Sequence, residues 1–233
     1  MGGAIAVHTG AQNILPTLIG IVVIDVVEGT ALDSLRSMQS FLSSRPAQFK
    51  SLENAIEWSV KTGQIRNIES AKVSMSGQLR RVKEKEQDSV DAVTEGTSRV
   101  TGTITEEEEE DGENATKSSQ CTTVKKGNKD HYTWRIDLSR TEKHWQGWFK
   151  GLSCLFLSCD VPKILVLAGV NRLDRELTIG QMQGKFQMQV LPQCGHSVHE
   201  DAPEKVAEVL ASFMVRHKFA EPTADFKRPM PAC

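Results

Sequence analysis

Two continuous apolar runs constrain this chain more than anything else in it: Leu18-Ile-Gly-Ile-Val-Val-Ile24 and Lys163-Ile-Leu-Val-Leu-Ala168. Neither alternates polar with apolar residues, so neither can lie with one face in water. A strand of this kind is covered on both faces, as in a parallel sheet sandwiched between helices. A third run, Phe186-Gln-Met-Gln-Val-Leu191, alternates and suits a strand nearer the sheet edge. Helical patterns separate the runs, at residues 3–12, 31–43, 51–62 with Ser51 as N-cap, and 67–86, followed by an aromatic stretch at 141–157. Strands alternating with helices make the fold class α/β.

The interval between the first two strands is too long for a plain crossover and is expected to form a helical cap over the sheet, shaping a pocket whose chemistry the sheet positions. Within it, residues 87–130 carry Glu106-Glu-Glu-Glu-Glu110-Asp111 among Ser, Thr, Gly, Asn and Lys. Such a segment buries too little apolar surface to offset its ordering entropy and is expected to be a disordered, solvated loop. Trp58, Trp145 and Trp148 sit at helical spacing and are expected in the core rather than on a ligand.

The 28 Lys and Arg nearly balance the 30 Asp and Glu, and a net charge of -2 provides no overall pull toward nucleic acid or an anionic membrane. The 5 cysteines, Cys121, Cys154, Cys159, Cys194 and Cys233, are odd in number and contain no C-x-x-C pair. That disfavours a disulfide framework and a zinc site and points to a reducing cytoplasmic or nuclear setting. The run ending at Ile24 is too short to cross a bilayer, and no basic segment precedes it, so neither a signal peptide nor a transmembrane helix is expected.

Chemistry is expected at three places. Met1-Gly2-Gly3-Ala4-Ile5 has the small residues that follow the serine of a G-x-S-x-G nucleophile elbow: Gly2 for the sharp bend, Gly3 and Ala4 for close packing of the new helix on the sheet. The nucleophile position would then precede residue 1. Cys194-Gly195-His196 stands between the last strand and the last helix, where an α/β-hydrolase carries the imidazole that takes the serine proton. Two aspartates compete to orient that ring: Asp25, directly after the first strand, and Asp174, in the loop after the second. Topology slightly favours Asp174.

His196, His199, Glu200 and Asp201 also form a compact set of potential metal ligands; a metal-dependent hydrolase ranks last among the readings, because Glu200 and Asp201 have a capping role in hand. Asp201-Ala-Pro-Glu204 fits the N-cap and capping-box acid of a final helix whose apolar face is Val206, Val209, Leu210, Phe213 and Met214. Four parts follow: residues 1–30 as elbow helix and first core strand, 31–160 as cap, 161–220 as the remaining core, and 221–233 as an irregular tail.

Five stretches together resemble the protein phosphatase methylesterases: Met1-Gly-Gly-Ala-Ile-Ala-Val-His8, Val23-Ile-Asp-Val-Val-Glu-Gly-Thr-Ala31, Lys50-Ser-Leu-Glu-Asn-Ala-Ile-Glu-Trp-Ser59, Thr178-Ile-Gly-Gln-Met-Gln-Gly-Lys-Phe-Gln187 and Leu191-Pro-Gln-Cys-Gly-His-Ser-Val-His-Glu-Asp-Ala-Pro203. The resemblance implies an α/β-hydrolase fold represented by its last three strands and a cap. It implies a cofactor-free Ser-His-Asp esterase that demethylates the C-terminal leucine of the type 2A protein phosphatase catalytic subunit, its partner through that tail. It moves the acid from Asp174 to Asp25 and keeps His196 as base. The serine falls immediately before Met1, whose backbone N–H corresponds to an oxyanion-hole donor. The 233 residues alone are therefore expected to be inactive, with the first strand left at a sheet edge; the alternative is a non-catalytic binder of the phosphatase.

Overall fold

The computed structural model describes residues 1–83 and 130–226. Three strands form a parallel sheet in the order β1–β5–β6: β1 (Ile21–Ile24), β5 (Lys163–Leu167) and β6 (Gln187–Val190). The register pairs Ile21 with Lys163 and Ile164 with Gln187. Every residue of β5 is buried, as its unbroken apolar run requires of a strand with a neighbour on each side.

Side chains alternate along β5, and each face carries its own core. Leu165 and Leu167 join Ile21, Val23, Ala4, Val7, Phe156 and Leu177, which brings α1 (Gly2–Ala11), α6 (Leu152–Ser158) and α7 (Arg175–Met182) to one face. Ile164 and Val166 join Val198, Val206, Val209 and Phe213, which places α8 (Val198–Asp201) and α9 (Pro203–Arg216) on the other. This is the expected helix-sheet-helix arrangement of an α/β-hydrolase core. Gly3 has the expected role: a Cβ there would stand 3.2 Å from Val23 Cγ1, so α1 reaches the sheet only because the side chain is absent. Gly2, expected to permit a sharp bend, is instead the first residue of α1, without a positive φ and with open space where its Cβ would be.

The interval 31–160, expected to be a helical cap, is not purely helical. After α2 (Glu28–Ser44), β2 (Gln48–Phe49), α3 (Leu52–Lys61) and α4 (Ile68–Gln78), the chain forms β3 (Leu79–Val82) where a continued helix was expected. It returns as β4 (His131–Trp134), and a small antiparallel sheet runs β2–β4–β3, with Leu79 opposite Trp134 and Val82 opposite His131. Phe49, Trp58 and Trp134 meet edge to face or tilted at 5.5–5.8 Å between ring centres. That aromatic cluster, with Ala55, Met75 and Leu79, is the core of the cap. The acidic loop expected at 87–130 lies, except for Asp130, outside the described residues, as does the tail from 227 onward.

Local signals account for the starts of α3 and α4. Ser51 caps α3, its Oγ accepting Asn54 N–H at 3.2 Å, and Asn67 caps α4 by accepting the N–H groups of Glu69 and Ser70. The aromatic stretch is two helices instead of one, α5 (Glu142–Phe149) and α6, because Gly151 adopts φ +77. The Glu28 carboxylate accepts the N–H groups of Gly151 and Ser153 at 2.8 and 3.0 Å, so α6 is capped by an acid from the first turn of α2. Trp145 is buried, and Trp148 packs partly buried against the main core. No helix among the described residues is long and apolar enough to cross a membrane.

Candidate active site

Asp25 leaves the end of β1 with φ +52, a left-handed conformation that short polar side chains tolerate better than others and that clusters at functional sites. Its backbone N–H still donates to Val166 O at 2.7 Å, so the turn begins inside the sheet. The carboxylate is buried completely, and three donors offset the lost hydration. Ala168 N–H donates to Oδ1 at 3.0 Å, while Oδ2 accepts from Arg172 Nη1 and faces His196 Nδ1 at 3.0 Å. The strand ends of β1 and β5 thus supply the acid and one of its anchors.

His196 comes from the loop between β6 and α8, with its ring 74% exposed. The contact with Asp25 selects the tautomer protonated at Nδ1, leaving Nε2 as the basic nitrogen. A carboxylate in that place fixes the ring orientation and stabilises the imidazolium that forms on proton transfer. Burial pushes the adjacent Cys194 thiol up, and the nearby Asp201 carboxylate acts in the same direction, so this cysteine stays protonated instead of offering a thiolate.

Asp174, the other acid in contention, does not meet His196. Its Oδ1 accepts Leu177 N–H at 2.9 Å as the N-cap of α7, and its Oδ2 accepts the Ser153 hydroxyl at 2.5 Å. Asp174→Ala is therefore expected to destabilise the fold by about 2 kcal/mol, through a lost cap and an orphaned hydroxyl. Turnover of an active form should stay essentially unchanged. Chemical denaturation beside an esterase assay checks this, and a loss of rate without a loss of stability would restore Asp174 as the acid.

The candidate metal ligands have other partners. His199 Nε2 lies 3.7 Å from Glu200 Oε1, which accepts Ser74 Oγ at 2.9 Å, whereas Asp201 turns the other way, toward Gly195 and Arg66. Among the described residues no group of three or more His, Cys, Asp or Glu is placed to hold a metal. The capping expectation for Asp201 also fails: Ala202 is the N-cap of α9, without a side-chain bond, because the Asp201 carboxylate is committed to the histidine loop. On the helix itself Val206, Val209 and Phe213 are buried, but Met214 is 43% exposed. Met1 is the N-cap of α1, its carbonyl accepting Ile5 N–H at 3.1 Å.

Sequence reasoning missed Arg172 and Arg66. Arg172 stands in the same Ala-Gly-Val-Asn-Arg-Leu-Asp loop that drew attention to Asp174, so its position was visible although its target was not. Arg66 is separated from Asp201 by 135 residues, and no local pattern announces it.

Residues 1–209 match the family described as the alpha/beta hydrolase family. The chain belongs to that family. Over its whole length it is 61% identical to protein phosphatase methylesterase 1 of Mus musculus, of which it spans 60%. A Caenorhabditis elegans relative described as a probable protein phosphatase methylesterase 1 is 45% identical over 95% of this chain and 49% of its own. Among solved structures, E-2-(acetamidomethylene)succinate hydrolase superposes with a TM-score of 0.57 over 91% of this chain and 63% of its own, at 14% identity. A Mycobacterium tuberculosis esterase does so with a TM-score of 0.54 over 91% and 59%, at 17% identity. These structural neighbours bear on the fold alone. In this hydrolase fold, Asp25 stands at the end of β1 and His196 in the loop between β6 and α8.

Proposed function

We propose that this chain provides the base and the acid of a serine esterase that removes the methyl ester from the C-terminal leucine of the type 2A protein phosphatase catalytic subunit. The single observation that carries the reading is His196 Nδ1 at 3.0 Å from the buried Asp25 carboxylate, in a chain so similar to the methylesterases. The resemblance of Met1-Gly2-Gly3 to the run behind an elbow serine supports a nucleophile at the position before Met1.

In that reaction the serine Oγ attacks the ester carbonyl carbon, and its proton passes to His196 Nε2. The oxyanion is held by the N–H of the residue after the serine, the position of Met1, together with a second donor. Collapse breaks the carbonyl–OCH₃ bond, and the imidazolium returns its proton to the departing oxygen, releasing methanol. Water then attacks the acyl-enzyme and gives a proton to His196. The second collapse restores the serine with that proton and leaves the leucine carboxylic acid, which ionises to the carboxylate by releasing its proton to solvent. Throughout, Asp25 holds Nδ1–H and opposes the charge that appears on the ring.

The test is methanol release from a methylated phosphatase tail peptide and from the methylated catalytic subunit. It uses this chain extended at its N-terminus with a segment that supplies the elbow serine and the preceding core strands implied by the resemblance. Release with stoichiometric formation of free carboxylate is expected. Tight binding of the subunit with no release would replace the esterase with a binding protein.

A further inference from the structure

The histidine loop is fastened to the cap by two residues that the esterase reading leaves without a role. Asp201 Oδ2 accepts Gly195 N–H at 2.6 Å, on the residue preceding His196, and Asp201 Oδ1 accepts the Arg66 N–H at 2.7 Å. The Arg66 side chain completes the ring of contacts, its Nη1 donating to Gln193 O at 2.7 Å. Gln193 itself has φ +75, so the loop bends sharply where the guanidinium holds it. A Cβ at Gly195 would lie 3.1 Å from Asp201 Oδ2, so the carboxylate approaches closely because a glycine stands there. A parallel contact, Ser74 Oγ to Glu200 Oε1 at 2.9 Å, ties α4 to α8.

The geometry points to Asp201 and Arg66 as positioning residues for the catalytic base: a strut from the start of α4 sets the backbone on which His196 is mounted. The physical need is plain. The His196 ring is largely exposed, and its one hydrogen bond among the described residues, to Asp25, fixes the ring only if the backbone beneath it is fixed too. Two residues of the backbone leading into His196, Gln193 and Gly195, are held by the strut. Arg66 lies in the interval between β1 and β5, so the base is referenced to that interval as well as to the strand ends.

This inference rests on the esterase reading for its kinetic test and has a second test that does not. In the N-terminally extended chain, Asp201→Ala and Arg66→Ala are expected to lower kcat for a small p-nitrophenyl ester by about 10- to 100-fold, the cost of roughly an ångström of misplacement, with KM nearly unchanged. Arg66→Lys, which keeps one donor for the Gln193 carbonyl, should recover most of the rate. Independently of any activity, ring nitrogen chemical shifts should show a single Nδ1-protonated tautomer of His196 in the parent chain and a mixture in the two alanine variants. Arg66 is exposed, so Arg66→Ala should fold even if Asp201→Ala does not. An unchanged kcat in folded Arg66→Ala, or an unchanged His196 tautomer where no esterase activity exists at all, would overturn the proposal. Lost rate on the methylated phosphatase with retained rate on the small ester would also overturn it, since the strut would then serve substrate binding instead of the base.

Discussion

Replacing His196 by alanine in the N-terminally extended chain is expected to reduce ester hydrolysis by about 10⁶-fold, the loss seen when a serine hydrolase forfeits its base. The fold should not notice. The ring is 74% exposed and its only hydrogen bond among the described residues is to Asp25, so the melting temperature should stay within about 2 °C of the parent. Asp25→Asn probes the same pair from the other side. An asparagine amide facing His196 offers N–H where the ring needs an acceptor, which turns the imidazole to the wrong tautomer and costs about 10⁴-fold, the size of the corresponding change in chymotrypsin-like proteases. The two losses should be far from additive, because the residues act through one proton transfer. Steady-state rates with thermal melting of the single and double variants check both points. A His196→Ala variant retaining a tenth of the parent rate would remove it from the mechanism, whatever its distance from Asp25.

The parallel sheet was legible because its signal is local: an apolar run covered on both faces, as at Lys163–Leu167, has few other places to go. Ser51 was legible for the same reason, since a cap needs only the N–H groups two or three residues onward. The small sheet of the cap was hidden by distance. Leu79–Val82 continues a helical pattern, and only pairing with His131–Trp134 turns it into a strand, but 48 residues separate the two and nothing in either names the other. The split at Gly151 was hidden in a different way: the glycine was visible, but the acid that rewards the break is Glu28, more than 100 residues earlier.

The site divided along the same line. His196 was readable from its Gly-His step between a strand and a helix. Asp25 was one of two strand-end aspartates, and the rule that prefers the later strand favoured Asp174; a family resemblance, not a spacing, reversed that order. Asp201 shows how a correct local pattern can be overruled. It stands where a helix cap should, and its carboxylate nevertheless turns to Gly195 and Arg66. Two strong N–H acceptor contacts in a half-buried place outweigh one solvent-exposed cap bond.

Leu167→Ala should produce the largest loss of stability among single truncations near the site. Leu167 is fully buried on the central strand, with α1, α6 and α7 packed over its face, so removing three carbons leaves a cavity that those rigid neighbours cannot close. Such changes cost about 2–5 kcal/mol, a large part of the roughly 5–15 kcal/mol that holds a domain together, and should lower the melting temperature by about 10 °C. Val170→Ala, 63% exposed just beyond the strand, is the control and should cost no more than about 0.5 kcal/mol. Urea unfolding should move the midpoint of Leu167→Ala to lower concentration without changing the slope. The position also reports on function. Leu167 O accepts Leu191 N–H at 2.8 Å at the start of the histidine loop, and the next residue, Ala168, donates its N–H to Asp25. Relaxation of this strand end reaches both the acid and the loop of the base, so turnover should fall below what the folded fraction alone accounts for. If Leu167→Ala lost no more stability than Val170→Ala, β5 would not be the centre of the core, and the sheet order that brings Asp25 to His196 would have to be redrawn.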